Sequence, residues 1–185
     1  MASSSLSLSS VLGAFSSFAV CGFVGRSGLP VPGWVLLLAR SVFALFPAGS
    51  FVSVGASAGV PGVASSFFGS RCRVFRPGRF PSVAAGLVRR SCSLVSSAVA
   101  AGSLWVSFPV RACPPSLGAS SSWVSSGSGS WSSLSLAAGS GCACLVFCPG
   151  WGRSVAPWAG FVSVGGGFWF CPAAPPTQKQ LSLFQ

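Results

Sequence analysis

Arginines clustered between positions 71 and 90 are the residues whose type and spacing best suit a recognisable chemistry. Two aromatic residues, Phe75 and Phe80, lie among them. Arginine makes bidentate contacts to phosphate, and aromatic rings stack on bases. The cluster therefore predicts contact with a polyanion, either nonspecific nucleic acid or anionic lipid, and no specific partner. The alternative is a solvated basic loop without a binding role. The six candidate contact residues are Arg71, Arg73, Arg76, Arg79, Arg89 and Arg90.

A second motif, the G-x-S-x-G pattern at Gly55–Gly59, would make Ser57 an acylating nucleophile on an alpha/beta-hydrolase elbow. A nucleophilic serine needs a general base, usually a histidine oriented by a carboxylate. The chain contains no Asp, Glu or His, and its single lysine is Lys179. We therefore expect no catalytic residue, no cofactor and no enzyme activity. The same glycines match G-x-x-x-G, a pattern of closely packed membrane helices.

The eight cysteines allow two further interpretations. Cys142, Cys144, Cys148 and Cys171 could supply four thiolates to zinc, but their spacing is not the usual C-x2-C or C-x4-C. A disulfide framework is favoured by an even count, yet the chain is long for such a scaffold and the spacing is irregular. We expect reduced, partly buried thiols that behave as small hydrophobic side chains, and no metal site.

Composition is the most unusual property of the chain. From Ala2 to Pro176 it uses ten residue types only: Ala, Cys, Phe, Gly, Leu, Pro, Arg, Ser, Val and Trp. These ten can all be encoded without adenine, whereas every stop codon contains adenine. The sequence therefore indicates a spurious or unselected open reading frame in adenine-poor DNA, with no specific biochemical function. A small cationic membrane-associated or secreted protein, and an Arg-mediated polyanion binder, are the alternatives.

The charge pattern argues against a unique fold. Charged residues make up 6% of the chain, all are basic, and the net charge is +11. A domain surface normally carries roughly 25–35% charged residues of both signs, and Ser-Gly stretches lose much entropy on ordering. We expect no stable globular fold, but a low-complexity, mostly irregular, aggregation-prone chain. Each arginine must be solvated, bound to carbonyl oxygens, stacked on an aromatic ring or paired with an external anion.

Short elements are nevertheless predicted within this irregular chain. Apolar runs favour helices near residues 6–24, 34–46 and 83–102, the second ending at Pro47. Weak alternation favours strand-like pieces near 51–55 and 160–170. The apolar segments Trp34–Phe51 and Ser93–Val110 are flanked by arginines and are the candidate membrane-inserting segments.

Changes in composition divide the chain into six segments. The leader, with an apolar stretch from Val11 to Val24, is typical of a signal or transit peptide but lacks a basic start. If expressed, the product is expected to be membrane-associated, secretory or organellar. The segments are the leader at 1–25, an apolar Gly/Ser-rich stretch at 26–70, the Arg-rich stretch at 71–90, a second apolar stretch at 91–115, a Ser/Gly-rich low-complexity linker at 116–141, and a Cys/Trp/Gly-rich end with a polar tail at 142–185.

Overall fold

Alternating layers of helix and strand build an alpha/beta domain around one mixed sheet. The computed structural model describes residues 6–22, 31–76, 83–148, 158 and 160–174. In these residues five helices and seven strands are formed. The helices are α1 (Leu8–Gly13), α2 (Gly33–Phe43), α3 (Val60–Phe68), α4 (Val83–Ala100) and α5 (Gly129–Gly139). The strands are β1 (Ser17–Gly22), β2 (Phe51–Gly55), β3 (Cys72–Phe75), β4 (Leu104–Phe108), β5 (Cys144–Phe147), β6 (Val162–Gly165) and β7 (Phe168–Cys171).

The sheet has the order β3-β2-β1-β4-β5-β7-β6. Strands β1 to β5 pair in parallel, whereas β7 runs antiparallel to both β5 and β6. The chain moves outward from β1 to β3 and then returns to place β4 on the other side of β1. This reversal creates a topological switch point between β1 and β4, the place where doubly wound sheets bind ligands at the carboxyl ends of their strands.

The central strands are buried on both faces, and their side chains alternate between two hydrophobic clusters. In β1, Phe18 and Val20 belong to one cluster, whereas Ala19 belongs to the other. In β4, Val106 and Trp105 divide in the same way. Because successive side chains of a strand point to opposite faces, near-continuous apolar sequences such as LWVSF suit a parallel sheet covered on both sides.

Helices α1, α2 and α3 cover the first face. Their buried residues join the cluster that contains Phe18 and Val106. Phe43 of α2 lies at its centre, where its ring meets four other phenylalanine rings at centroid distances of 5.5–6.2 Å. Edge-to-face contacts of this kind add to the free energy gained by burial. The four partners of Phe43 are Phe46, Phe67, Phe68 and Phe108.

Helices α4 and α5 cover the second face, and α5 is buried although it is rich in serine. Trp131 and Leu134 supply its apolar contacts. The buried hydroxyl of Ser133 donates to the Gly129 carbonyl at 2.6 Å, and Ser135 donates to the Gly118 carbonyl at 2.5 Å. Buried serines are tolerated here because backbone carbonyls satisfy their hydroxyl groups.

The prediction of no stable globular fold is wrong. The described residues form a seven-stranded mixed sheet with a packed core on each face. Val, Phe, Leu, Trp and Cys provide enough apolar volume for both clusters. The low-complexity interpretation of residues 116–141 fails for the same reason, since α5 lies within this segment and is largely buried.

The short elements were predicted better than the fold. Helices near 34–46 and 83–102 are confirmed as α2 and α4, and the strand at 51–55 is confirmed as β2. Residues 160–170 contain β6 and most of β7. The helix predicted at 6–24 is wrong beyond α1, because Ser17–Gly22 forms β1 in the middle of the sheet.

Membrane association, predicted from the apolar segments, is not supported by the fold. Trp34–Phe51 forms α2 and the first residue of β2, and Ser93–Val110 spans the second half of α4 and β4. Many apolar residues of these segments belong to the two core clusters, whereas Trp34, Leu37, Leu45 and Phe51 are exposed. Among the described residues, none of the helices combines the length and the hydropathy required to cross a bilayer.

Candidate functional site

The principal cavity of the described residues opens at the carboxyl ends of β1, β2 and β4. Its volume is about 760 Å³, within the range of small-molecule sites. The floor comes from Val20 and Cys21 of β1 and from Gly55 at the end of β2. Helices α4 and α5 form the walls, together with the chain that leaves β4. The cavity therefore lies beside the switch point, where the topology predicts a ligand site.

Arg90 of α4 is the charged side chain that reaches this cavity from the apolar wall. Its Nη1 donates to the Ala56 carbonyl at 2.9 Å and approaches Ser57 Oγ at 3.5 Å. The Nε atom is buried and meets no acceptor among the described residues. Burial lowers the pKa of the guanidinium, and nearby Cys21 partly offsets this effect. Because the chain has no Asp or Glu, only an external anion or the C-terminal carboxylate could neutralise Arg90.

The position of Arg90 depends on the missing side chain of Gly55. A Cβ atom at Gly55 would lie 2.8 Å from Nε and 2.9 Å from Cζ of Arg90. Any larger residue would therefore push the guanidinium away from the end of β2. Glycine is required here for the close approach of a side chain to the backbone rather than for a turn.

The first turn of α5 faces the same cavity. Gly129 and Ser130 line it, and Ser128, the residue before the helix, makes no capping hydrogen bond with its side chain. The amide N–H groups at a helix start carry partial positive charge and favour anions. Cys21 Sγ lies 3.1 Å from Ser133 Oγ, so the thiol connects the Arg90 side of the cavity with the α5 side.

Two tryptophans are among the residues around the cavity. Trp123 is half-buried, whereas Trp105 is fully buried with 0% of its surface exposed. The indole Nε1 of Trp105 has no acceptor among the described residues. Because this buried N–H is unsatisfied, it costs the folded state roughly 1–3 kcal/mol. By contrast, Trp131 Nε1 donates to the Arg111 carbonyl at 2.9 Å.

Four described arginines of the sequence-predicted cluster do not line the cavity, namely Arg71, Arg73, Arg76 and Arg89. Arg71 lies 5.7 Å from the Phe68 ring and Arg73 lies 4.8 Å from the Phe75 ring, so both stack as cation–π pairs. Arg76 is exposed after β3, and Arg89 is exposed on α4. Among the described arginines, Arg90 binds a carbonyl oxygen and Arg71 and Arg73 stack on aromatic rings, two of the environments predicted for arginine in this chain. Arg79, together with Phe80, lies outside the described residues.

Ser57 contacts a carbonyl oxygen and a guanidinium, and the eight thiols lie in or beside the two core clusters. Ser57 Oγ donates to the Gly55 carbonyl at 3.3 Å and meets Arg90, which is a donor and not a base. Cys144 of β5 stands opposite Cys171 of β7 in the sheet register. Burial raises the pKa of Cys142 to about 11 and that of Cys148 to about 12. No group of three or more potential metal ligands occurs within the described part of the chain.

Most of the cavity was not predicted from sequence. Cys21, Trp105 and the first turn of α5 come from three separate parts of the chain, and only the strand order brings them together. The sequence did contain one indication of the cavity, because Arg90 lies within the apolar run of α4. Arg90 belongs to the predicted arginine cluster, but its isolation from the other members follows from packing.

Comparison with protein-family models, curated proteins and solved structures gave no match for this chain. The function of the chain must therefore be inferred from the cavity and from the residues of its walls.

Proposed function

We propose that the chain is a small-molecule-binding domain whose ligand occupies the cavity between α4 and α5. The observation that carries this proposal is a cavity of about 760 Å³ placed at the switch point of a doubly wound sheet. Apolar walls with a few polar groups are typical of such sites. The absence of Asp, Glu and His from the sequence favours binding over general acid–base catalysis.

The walls of the cavity support a ligand that is partly apolar. Leu87, Val88 and Leu94 of α4 face Trp105 of β4 across the same space. Arg90 and the serines near the start of α5 add hydrogen-bond donors to this apolar surface. A ligand would therefore be held by burial of apolar area and oriented by a small number of polar contacts.

Thermal unfolding in the presence of aromatic fragments tests the proposal. Phenol, indole and their anionic analogues should raise the melting temperature saturably, because a ligand that binds only the folded state stabilises it. The variant Val88→Trp, which fills the cavity, should lose this response. Val162→Trp is the matched control, since Val162 is 48% exposed on β6 and is not among the cavity-lining residues. The proposal fails if no fragment gives a saturable shift, or if both variants respond alike.

A second candidate function is nonspecific polyanion binding at the β3 edge of the sheet. Arg71, Arg73 and Arg76 are all exposed there, and β3 is an outer strand. RNA retention should fall steeply with salt, and replacing the three arginines by glutamine should reduce the logarithmic salt slope by about 2. An unchanged slope would exclude this edge as the contact surface.

The composition supports a third interpretation, that the open reading frame serves no selected function. The ten-letter alphabet from Ala2 to Pro176 motivates it. The comparison of synonymous with nonsynonymous changes at the locus in close relatives tests it. Equal rates would support this interpretation, whereas clear purifying selection on the amino acids would reject it.

A further inference from the structure

The polar groups of the cavity are donors without a matching anion. Arg90 presents a guanidinium whose Nε is unpartnered among the described residues, and the sequence supplies no acidic side chain to pair with it. Arg111 is exposed and also lines the cavity, so a second cationic side chain stands at its edge. Guanidinium groups bind carboxylate and phosphate through parallel N–H donors.

The start of α5 adds donors of a different kind. This helix has eleven residues, and its first turn lines the cavity. The side chain of Ser128 makes no capping hydrogen bond to it. Arg90 provides an independent observation, because this half-buried cation lines the same cavity and the sequence contains no Asp or Glu that could pair with it. Acceptor oxygens on a ligand would satisfy donors that the protein leaves unused.

The space beyond these donors suits a flat apolar group. Trp123 offers an aromatic ring, and Leu87 and Val110 offer aliphatic surface. A volume of about 760 Å³ is far larger than an inorganic anion requires. An occupant that carries only charge would leave the apolar walls in contact with water, whereas an uncharged one would leave Arg90 buried without its anion.

We propose that the cavity binds the phosphate monoester of an aromatic molecule, with the phosphate at Arg90 and the α5 start and the ring beside Trp123. Phosphate is favoured over carboxylate because it has more acceptor oxygens for donors that come from several directions. This inference rests on the proposed small-molecule site and names its ligand class.

Isothermal titration calorimetry with phenyl phosphate, phenol, benzoate and inorganic phosphate at constant ionic strength tests this inference. Phenyl phosphate should bind about 10-fold or more tightly than each of the other three. In Arg90→Gln its affinity should fall about 10-fold or more, whereas phenol binding should not change. Arg40→Gln is the charge-matched control, since Arg40 is exposed on α2 and is not a cavity-lining residue.

A second variant protects the test against misfolding of Arg90→Gln. Gly55→Ala keeps the charge of Arg90 but displaces its guanidinium, because the new Cβ would lie 2.8 Å from Nε. It should weaken the binding of phenyl phosphate by a larger factor than the binding of phenol, with circular dichroism like that of the wild type.

Three outcomes would overturn the inference, and each leads to a different conclusion. Equal binding of phenol and phenyl phosphate would leave a neutral small-molecule site. Equal binding of benzoate would indicate a carboxylate ligand. Failure of every probe, together with the loss of any cavity-dependent thermal shift, would refute the proposed function itself.

Discussion

Replacing Gly139 by alanine is the sharpest test of how α5 packs. Gly139 ends α5, and a Cβ atom built there would collide with the N, C and O atoms of the Ser120 backbone. Ordinary contacts of a Cβ atom begin near 3.4 Å, so the loop at Ser120 must retreat by about 1 Å. Backbone atoms cannot move aside as a flexible side chain can, and the collision therefore disturbs the whole loop.

The expected cost follows from the contacts that the retreat would break. Ser120 N donates to the Ser135 carbonyl at 3.0 Å, and Ser135 Oγ donates to the Gly118 carbonyl. Two hydrogen bonds at about 1 kcal/mol each, with overpacking of about 1–3 kcal/mol, predict a loss of roughly 3–5 kcal/mol. Such a loss is a large part of the free energy of unfolding of a domain of this size.

Urea unfolding followed by tryptophan fluorescence measures this loss, because Trp131 of α5 is 1% exposed. Gly129→Ala is the matched control at the other end of the helix, where a Cβ meets nothing within 4 Å. It should be neutral or stabilise by up to about 1 kcal/mol. If Gly139→Ala unfolds at the same urea concentration as the control, α5 does not pack on the Ser120 loop and the reasoning is wrong.

Three further predictions concern the core, the thiols and an exposed aromatic side chain. Phe43→Ala should cost about 3–5 kcal/mol in chemical unfolding, whereas Leu37→Ala, at a site 68% exposed, should cost less than about 0.5 kcal/mol; equal costs would contradict the core assignment. Because burial raises the pKa of Cys142 and Cys148 above the ordinary thiol value of 9.0, stability should be full below pH 9 and fall between pH 9 and about 12. Urea midpoints across this range should fall less in Cys142→Ala, and a parallel decline would exclude this thiol as a cause. Phe51→Lys, at a side chain 67% exposed, should reduce light scattering at high protein concentration without lowering the melting temperature; unchanged scattering would exclude this residue as an aggregation contact.

Local structure was readable from residues that are neighbours in the chain. The run Trp34–Phe46 indicates a helix because it contains good helix formers and is stopped by Pro47, and the alternation at 51–55 indicates a strand. Both predictions hold in α2 and β2. The general expectation for arginine also holds at Arg90, which binds a backbone carbonyl because no carboxylate exists in its surroundings.

The interpretation of α5 failed because it treated serine as a residue of surfaces and linkers. Ser133 and Ser135 are buried with 1% and 0% of their surfaces exposed, and each hydroxyl donates to a carbonyl oxygen. A carbonyl of the same helix serves Ser133, but the acceptor of Ser135 is Gly118, seventeen positions earlier. Composition cannot show whether such an acceptor will be within reach, so it cannot distinguish a buried serine from a solvated one.

The sequence alone determined which side chains are absent, because no fold can supply an Asp, Glu or His that the chain does not contain. The sequence also determined the positive charge and several local elements, since these depend on residue type and short spacing. Only the tertiary structure decided that Arg90, Trp105 and the start of α5 surround one cavity. The physical reason is the strand order, because placing β4 beside β1 joins segments that are far apart in the chain and makes the carboxyl ends of their strands a common edge.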